Sequence, residues 1–368
     1  VTTDDLEPYE ARVAAATSRL DDFYTQLVSE LDKQNGGFRW WSGFSDWKTL
    51  TLLGDYLIQS VQGTKESLSS ASLTADIHRQ TLGNDEAELK AALRPIMEAG
   101  ITDPTKIAEA IPQDAAARRR ALTITESAES CIFHLWQTLD RVAAAAIIVG
   151  GFRVKDVATV YWSSLDGIAT ELSTGSIKEM LEPVGTPGRA VQEALVAPVL
   201  GWQQFGPDEW LLWLRDARHG LTHRSPSKKL NVTAGERLTR LFYRQPRWSE
   251  IQALVFGSKP PRRPIFDTFI LKASYDVLDG LCESTAKLVA ALVDAMVTCW
   301  VARRADPPMI VQHGRQWPTI EPGEPLSAFP GYGQDLTLDS RHMVVNTQEG
   351  DRWEAARIDD QRRRDWYE

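Results

Sequence analysis

Leu20, Phe23, Leu27 and Leu31 recur at three- and four-residue intervals within residues 5 to 34, and the break "QNGG" follows. That spacing predicts an amphipathic helix. The next stretch, "FRWWSGFSDWKTL", crowds Phe38, Trp40, Trp41, Phe44 and Trp47 together, and reads as a loop covering core in preference to an aromatic ligand cage. From about 60 to 122 the text is polar and punctuated by Pro and Gly, with short helices expected near 85 to 98 and 104 to 110. Thr123 and Glu126 read as a capping box. The stripe Ile132, Phe133, Trp136, Leu139, Val142, Ala143 and Ile147 then runs to Gly150-Gly151, predicting one long core helix with His134 beside it as a packing histidine. A further helix is expected from about 154 to 172. Another long one, from about 266 to 304, carries Phe269, Ala273, Val277, Leu281, Leu288, Leu292, Met296 and Cys299. Beyond it, residues 305 to 368 are rich in Pro and Gly with short alternating pieces such as "LTLDSRHMVV", predicting an irregular or small β-containing extension. Tandem repeats, a Walker loop and a GxGxxG turn are all missing from the sequence, which argues against the common nucleotide-binding folds. The fold class is mainly α.

Between these elements lies "GPDEWLLWLRDARHGLTHRSP". Gly206 is a candidate N-cap, Pro207 suits the first helical position, and Asp208 and Glu209 suit a first turn, where the helix dipole favours acids. Trp210, Trp213, Leu214, Ala217 and Leu221 form the expected buried stripe. Ser225-Pro226 stops the helix, because the residue before proline avoids the α region. Arg215, Asp216, Arg218, His219, Thr222 and His223 are therefore expected beside or off the core face, near the helix end. Gly220 softens that end by about 1 kcal/mol relative to alanine.

Composition changes this picture in two ways. With 368 residues, 43% hydrophobic and 25% charged, the chain is expected to be soluble and globular without staples. Its three cysteines, Cys131, Cys282 and Cys299, lie far apart with no CxxC pair, so neither a disulfide framework nor a four-cysteine zinc site is indicated. A reducing cytoplasm is the expected home. The first twenty residues lack the basic and apolar regions of a signal peptide, and "VAAAAIIVGGF" is too short to cross a bilayer. The second change is local. From Arg215 to Arg263 twelve Lys or Arg stand against Asp216, Glu236 and Glu250, in a chain of net charge −9. The segment includes Arg224, Lys228, Lys229, Arg237, Arg240, Arg244 and Arg247, interleaved with Phe242, Tyr243 and Trp248. A concentrated basic strip with aromatics fits a single-stranded RNA track. The same strip could instead pair with the chain's own acids.

Of the six histidines, only His223 has an arginine five to seven residues before it. The arrangement Arg218, His219, His223 in a mainly helical chain resembles the HEPN superfamily, whose helical bundles carry an R-x4-6-H motif, often with a polar residue after the arginine. The resemblance covers this motif and the long helices. It implies a HEPN-like helical bundle over residues 1 to 304, with the motif helix at about 207 to 224, a basic insertion at 225 to 263, and the extension at 305 to 368. It also implies a metal-independent ribonuclease that works as a homodimer, in a toxin or anti-phage setting where an antitoxin or other regulatory partner holds it in check. In that chemistry His223 is the general acid or base, Arg218 holds the scissile phosphate, and His219 orients His223. Arg215 and Asp216 support them, and the products carry a 2′,3′-cyclic phosphate and a 5′-hydroxyl. Cofactors and membranes have no part in it. Two other readings of the same residues stay open. One is a non-catalytic dimerisation or partner-binding module. The other is a zinc site on His219 and His223, although Gly220 stands where a metalloprotease would have its glutamate.

Overall fold

The computed structural model describes residues 6–30, 40–41, 47–154, 157–175, 181–223, 230–234, 237–244, 256–257, 265–311 and 347–357, together with 361, 362 and 364. The chain is mainly helical. In order, its elements are α1 (Pro8–Glu30), α2 (Trp47–Glu98), α3 (Pro104–Ala110), α4 (Ala115–Val149), α5 (Trp162–Ser173), α6 (Pro187–Leu200) and α7 (Trp210–His223). Then come β1 (Leu230–Ala234), β2 (Arg237–Tyr243), β3 (Phe269–Ile270), α8 (Ser274–Ala305) and α9 (Thr347–Arg357). Two compact units result. The first comprises 1–20, 63–139 and 201–291, and the second 21–62, 140–200 and 292–368, so α1, α2, α4 and α8 each contribute to both. Residue 305 begins no unit of its own.

In the first unit the buried residues repeat at helical spacing. They are Val13, Ala16 and Leu20 of α1; Leu68, Ala71, Ala75 and Leu82 of α2; Ile124, Ala128, Cys131, Leu135 and Leu139 of α4; and Leu278, Leu281, Cys282 and Leu288 of α8. Polar ties add to this packing. Arg12 reaches Asp279 at 3.0 Å and Ser72, while Arg79 reaches Asp276 and Asp279. A three-stranded antiparallel sheet in the order β1-β2-β3 joins this unit, with Leu230 opposite Leu241 and Phe242 opposite Ile270.

The second unit is built around Phe23, Leu27, Leu53, Leu57, the α4 run Val142–Val149 and Trp300, all buried. Trp41, 2% exposed, stacks on Trp40 at 5.8 Å, and Trp300 meets both edge-on. For Trp40 and Trp41 the core-covering reading therefore holds; Phe38 and Phe44 lie outside the described residues. Arg303 is 1% exposed, lies 4.5 Å over the Trp41 ring, and donates to the carbonyls of Ile148 and Val149, which end α4. Burial pushes its guanidinium down to about 10. At the other end of this unit Asp55, 3% exposed, is held by Arg352 and Arg357 of α9.

Several expected boundaries move. The polar text after residue 60 is one helix, α2, 52 residues long. Its inward positions include Thr64, Ser67 and Ser72, and hydroxyls along it bond to their own helix, Ser67 to Gly63 and Thr81 to Ile77, both at 2.7 Å. A polar residue satisfied in this way can sit in a core, and that hid the stripe from hydropathy. Likewise α4 begins at Ala115, and Thr123 is inside it, donating to Arg119 O at 3.0 Å in place of capping. The helix expected at 154 to 172 shortens to α5, and α6 was not foreseen. The helix expected from 266 starts at Ser274, because 269–270 pair with β2. The described strands lie between 230 and 270, so the basic insertion at 225 to 263, for which the sequence predicts no element, carries a hairpin. The alternating "LTLDSRHMVV" lies outside the described residues. By length and composition α4 and α8 each suffice to cross a bilayer, which corrects the estimate made from the greasy run alone; 72% and 50% of their most apolar windows are buried.

Candidate functional site

The helix α7 positions the motif. It starts three residues later than its sequence signals suggest, because Glu209 takes φ 62° and Trp210 N–H closes a turn onto Pro207 O at 3.1 Å. From Trp210 the helix is continuous through Gly220 to His223. Trp210, Leu211, Leu214 and Gly220 are buried, while Trp213, Ala217 and Leu221 are half-buried, so the predicted stripe is shifted slightly round the helix.

Continuity fixes the angular relations among the motif residues. The backbone positions of Arg218 and His223, five apart on an unbroken helix, lie about 140° apart around its axis, and the loosening that Gly220 would permit is not taken up. Arg218 is half-buried, and among the described residues its guanidinium makes no ion pair or hydrogen bond. The His219 ring lies 6.2 Å from that of Trp136 on α4 at a tilt of 53°. Arg215 is more exposed and meets Asp216 at 3.5 Å, so these two pair with each other at the surface. Thr222 donates to Arg218 O at 2.8 Å. The His223 backbone closes the helix; its side chain lies outside the described atoms, as does the proposed zinc pairing with His219.

The basic strip divides by environment. Arg237 on β2 and Arg244 just beyond it are exposed, and Arg244 meets Glu209 at 3.3 Å. Arg240 does not face solvent. It is 6% exposed, with its guanidinium donating to Thr125 Oγ1 at 2.8 Å and Asn231 Oδ1 at 3.1 Å, and burial lowers its pKa. That removes Arg240 from any RNA track: β2 is buried continuously from Leu238 to Leu241, while Arg237 at its start is exposed. Arg224, Lys228, Lys229 and Arg247 lie outside the described residues.

Sequence reasoning missed a buried polar junction behind this strip. His78 of α2 is fully buried, with Nδ1 2.9 Å from Ile124 O and Nε2 2.8 Å from Ser274 Oγ. Burial pushes the imidazole down to about 4, so it is neutral, donates from Nδ1 to the carbonyl and accepts the Ser274 hydroxyl at Nε2. Ser274 N–H donates to Thr239 Oγ1 at 3.0 Å, which ties α2, α4, β2 and α8 at one point. His134, by contrast, meets Gln137 Oε1 of its own helix at 3.3 Å. Also unforeseen, Cys131 and Cys282 lie with their sulfurs 3.8 Å apart, both buried, 151 residues apart in sequence. Spacing along the chain carries no trace of either pairing.

Comparison with known protein families, with characterised proteins and with solved structures yields no match. What this site does is therefore argued from its own chemistry.

Proposed function

We propose that the chain is a metal-independent endoribonuclease whose reacting groups are Arg218 and His223 of α7. The observation that carries this reading is the state of Arg218: a half-buried guanidinium in the last turns of a helix, with no carboxylate engaging it among the described residues. A buried arginine in a purely structural role normally finds hydrogen-bond acceptors, as Arg240 finds Thr125 Oγ1 and Asn231 Oδ1. An uncommitted one suits a phosphate, which the planar guanidinium binds through two parallel hydrogen bonds. His223, five residues on, supplies a group that exchanges protons near neutral pH for the ribose 2′-hydroxyl or the departing 5′-oxygen. His219, against Trp136, has a fixed ring position from which to orient the phosphate or the second histidine. Because an unbroken helix holds Arg218 and His223 about 140° apart, the reacting pair is composite, with arginine from one copy and histidine from a second. Exposed Arg237 and Arg244 extend the positive surface on which a single strand would lie.

The test is cleavage of end-labelled RNA in excess EDTA by the whole chain, by Arg218→Ala and by His223→Ala. The expected result is a product ending in 2′,3′-cyclic phosphate, with each substitution lowering the rate by at least about a hundredfold. Equal cleavage by all three proteins, or cleavage abolished by EDTA, overturns the reading.

A further inference from the structure

On the opposite end of α7 from the motif, within the first unit, a cleft of about 570 Å³ opens between Pro207–Trp213, β3 with the two residues after it, and one face of α8. That size suits a small organic ligand. Three aromatic residues line it, Trp210, Trp213 and Phe269, and each is braced from outside by another ring. Trp202 meets Trp210 edge-on at 6.3 Å and accepts its indole N–H at 3.2 Å; Phe242 meets Trp213 at 5.6 Å; Tyr243 meets Phe269 at 5.8 Å. Side chains locked in this way lose little further entropy when a ligand arrives. Gly206 permits the packing, since a Cβ there would fall 2.5 Å from Ser284 Oγ and 2.8 Å from Trp210 Cδ1. On the α8 wall, Gly280 has no atom within 4 Å of where a Cβ would stand, which leaves that wall smooth.

The charges at the rim narrow the ligand's chemistry. Asp276 is engaged by Arg79, and Glu209 by Arg244 across the mouth. Glu209 reaches Arg244 from a φ of 62°, a backbone conformation that side chains larger than glycine seldom hold. The Arg244–Glu209 pair is about two-thirds exposed on both sides, and such pairs exchange readily for a stronger acceptor. Asp208 remains to accept from a donor on the ligand. An aromatic slot, an acceptor beside it and an arginine at its mouth together describe a flat heterocycle with amino or ring N–H donors, joined to an anion. We infer that this cleft binds a nucleoside monophosphate unit, base against Trp213 and Phe269, phosphate at Arg244.

The unit can come from a free nucleotide or from one residue of a single strand, and binding can be separated from cleavage. Isothermal titration of the whole chain would use the four 5′-monophosphates, the matching nucleosides, indole, an apolar peptide and a short 2′-O-methyl oligonucleotide. At least one monophosphate should saturate. Trp213→Leu should weaken nucleotide and nucleoside alike by about tenfold or more, as lost base stacking does. Arg244→Ala, at an exposed position where folding is not at stake, should weaken the nucleotide but leave the nucleoside unchanged. Displacement of the monophosphate by the oligonucleotide marks a strand residue as the occupant; its failure to displace marks the free nucleotide. The readout here is binding, resolved by Trp213→Leu and Arg244→Ala, so failure of the RNA-cleavage test would leave this inference standing. Absence of saturation by every nucleotide, indifference to both cleft substitutions, or tighter binding of indole or peptide overturns it.

Discussion

At the scale of single residues, the most consequential side chain is one that hydropathy assigns to nothing. His78 sits in largely polar text, in register with Ala71, Ala75 and Leu82 on the buried face of α2, and only the fold brings Ile124 O and Ser274 Oγ to its two nitrogens. Its burial makes a pH dependence with a definite sign. The folded-state value is about 4 against an ordinary 6.5, so between those limits the unfolded chain binds the proton and the folded chain does not. The stabilisation from neutral His78 is complete above pH 6.5 and is lost progressively as pH falls towards 4. At pH 5 the loss should be about 2 kcal/mol, from a full amplitude near 3 kcal/mol at 1.36 kcal/mol per unit. Urea unfolding of the parent and of His78→Gln at pH 7 and pH 5 measures this. The parent should lose about 2 kcal/mol more than the variant on acidification; equal losses would mean that His78 does not carry the effect. Arg218 and His223 were legible for a different reason. Their signal is a local spacing on one helix, which sequence displays directly, whereas His78, Cys131 and Arg303 act through partners more than forty residues away.

At the scale of elements, long apolar stripes were readable and polar cores were not. The α4 stripe from Ile132 to Ile147 is buried as its spacing predicts, because leucine, isoleucine and tryptophan have no use for water. The inward face of α2 mixes Leu68, Ala71, Ala75 and Leu82 with Thr64, Ser67, Ser72 and His78, whose polar groups are satisfied by carbonyls of their own turns or by neighbouring elements, so the stretch after residue 60 read as polar, broken text. The hairpin was hidden in a similar way. The text shows one basic strip, but on β2 the buried Arg240 belongs to the scaffold, while Arg237 before it and Arg244 after it are exposed. This distinction can be measured. Arg240→Ala removes a buried side chain together with its bonds to Thr125 and Asn231 and should cost about 2 kcal/mol of unfolding free energy, with little change in how RNA affinity depends on salt. Arg237→Ala should change stability by no more than about 0.5 kcal/mol, yet flatten the slope of log affinity against log salt by about 0.7, one phosphate contact to a single strand. Reversed outcomes would place Arg240 on the track and Arg237 in the scaffold.

For the whole molecule, the proposed ribonuclease reading raises the question of how a regular helix can serve a reaction that needs arginine and histidine together. A helix kinked at Gly220 could have brought Arg218 and His223 together within one chain, and the sequence allowed it. The structure keeps α7 continuous through Gly220, which is buried. Two copies related by a twofold axis can do what one cannot, since such an interface presents the same helix end from both sides and sets each arginine opposite the other copy's histidine. Two-copy sites have a quantitative signature. When Arg218→Ala and His223→Ala chains are co-expressed in equal amounts, about half of the dimers are mixed, and in each mixed dimer one of the two composite sites keeps both groups. The mixture should therefore recover about a quarter of the parent's rate in the EDTA cleavage assay, although each variant alone is inactive. Recovery should track the fraction of mixed dimers as the expression ratio is varied. If the mixture is as inactive as its components while mixed dimers form, then both groups act within one chain, and α7 must unwind at Gly220 during the reaction.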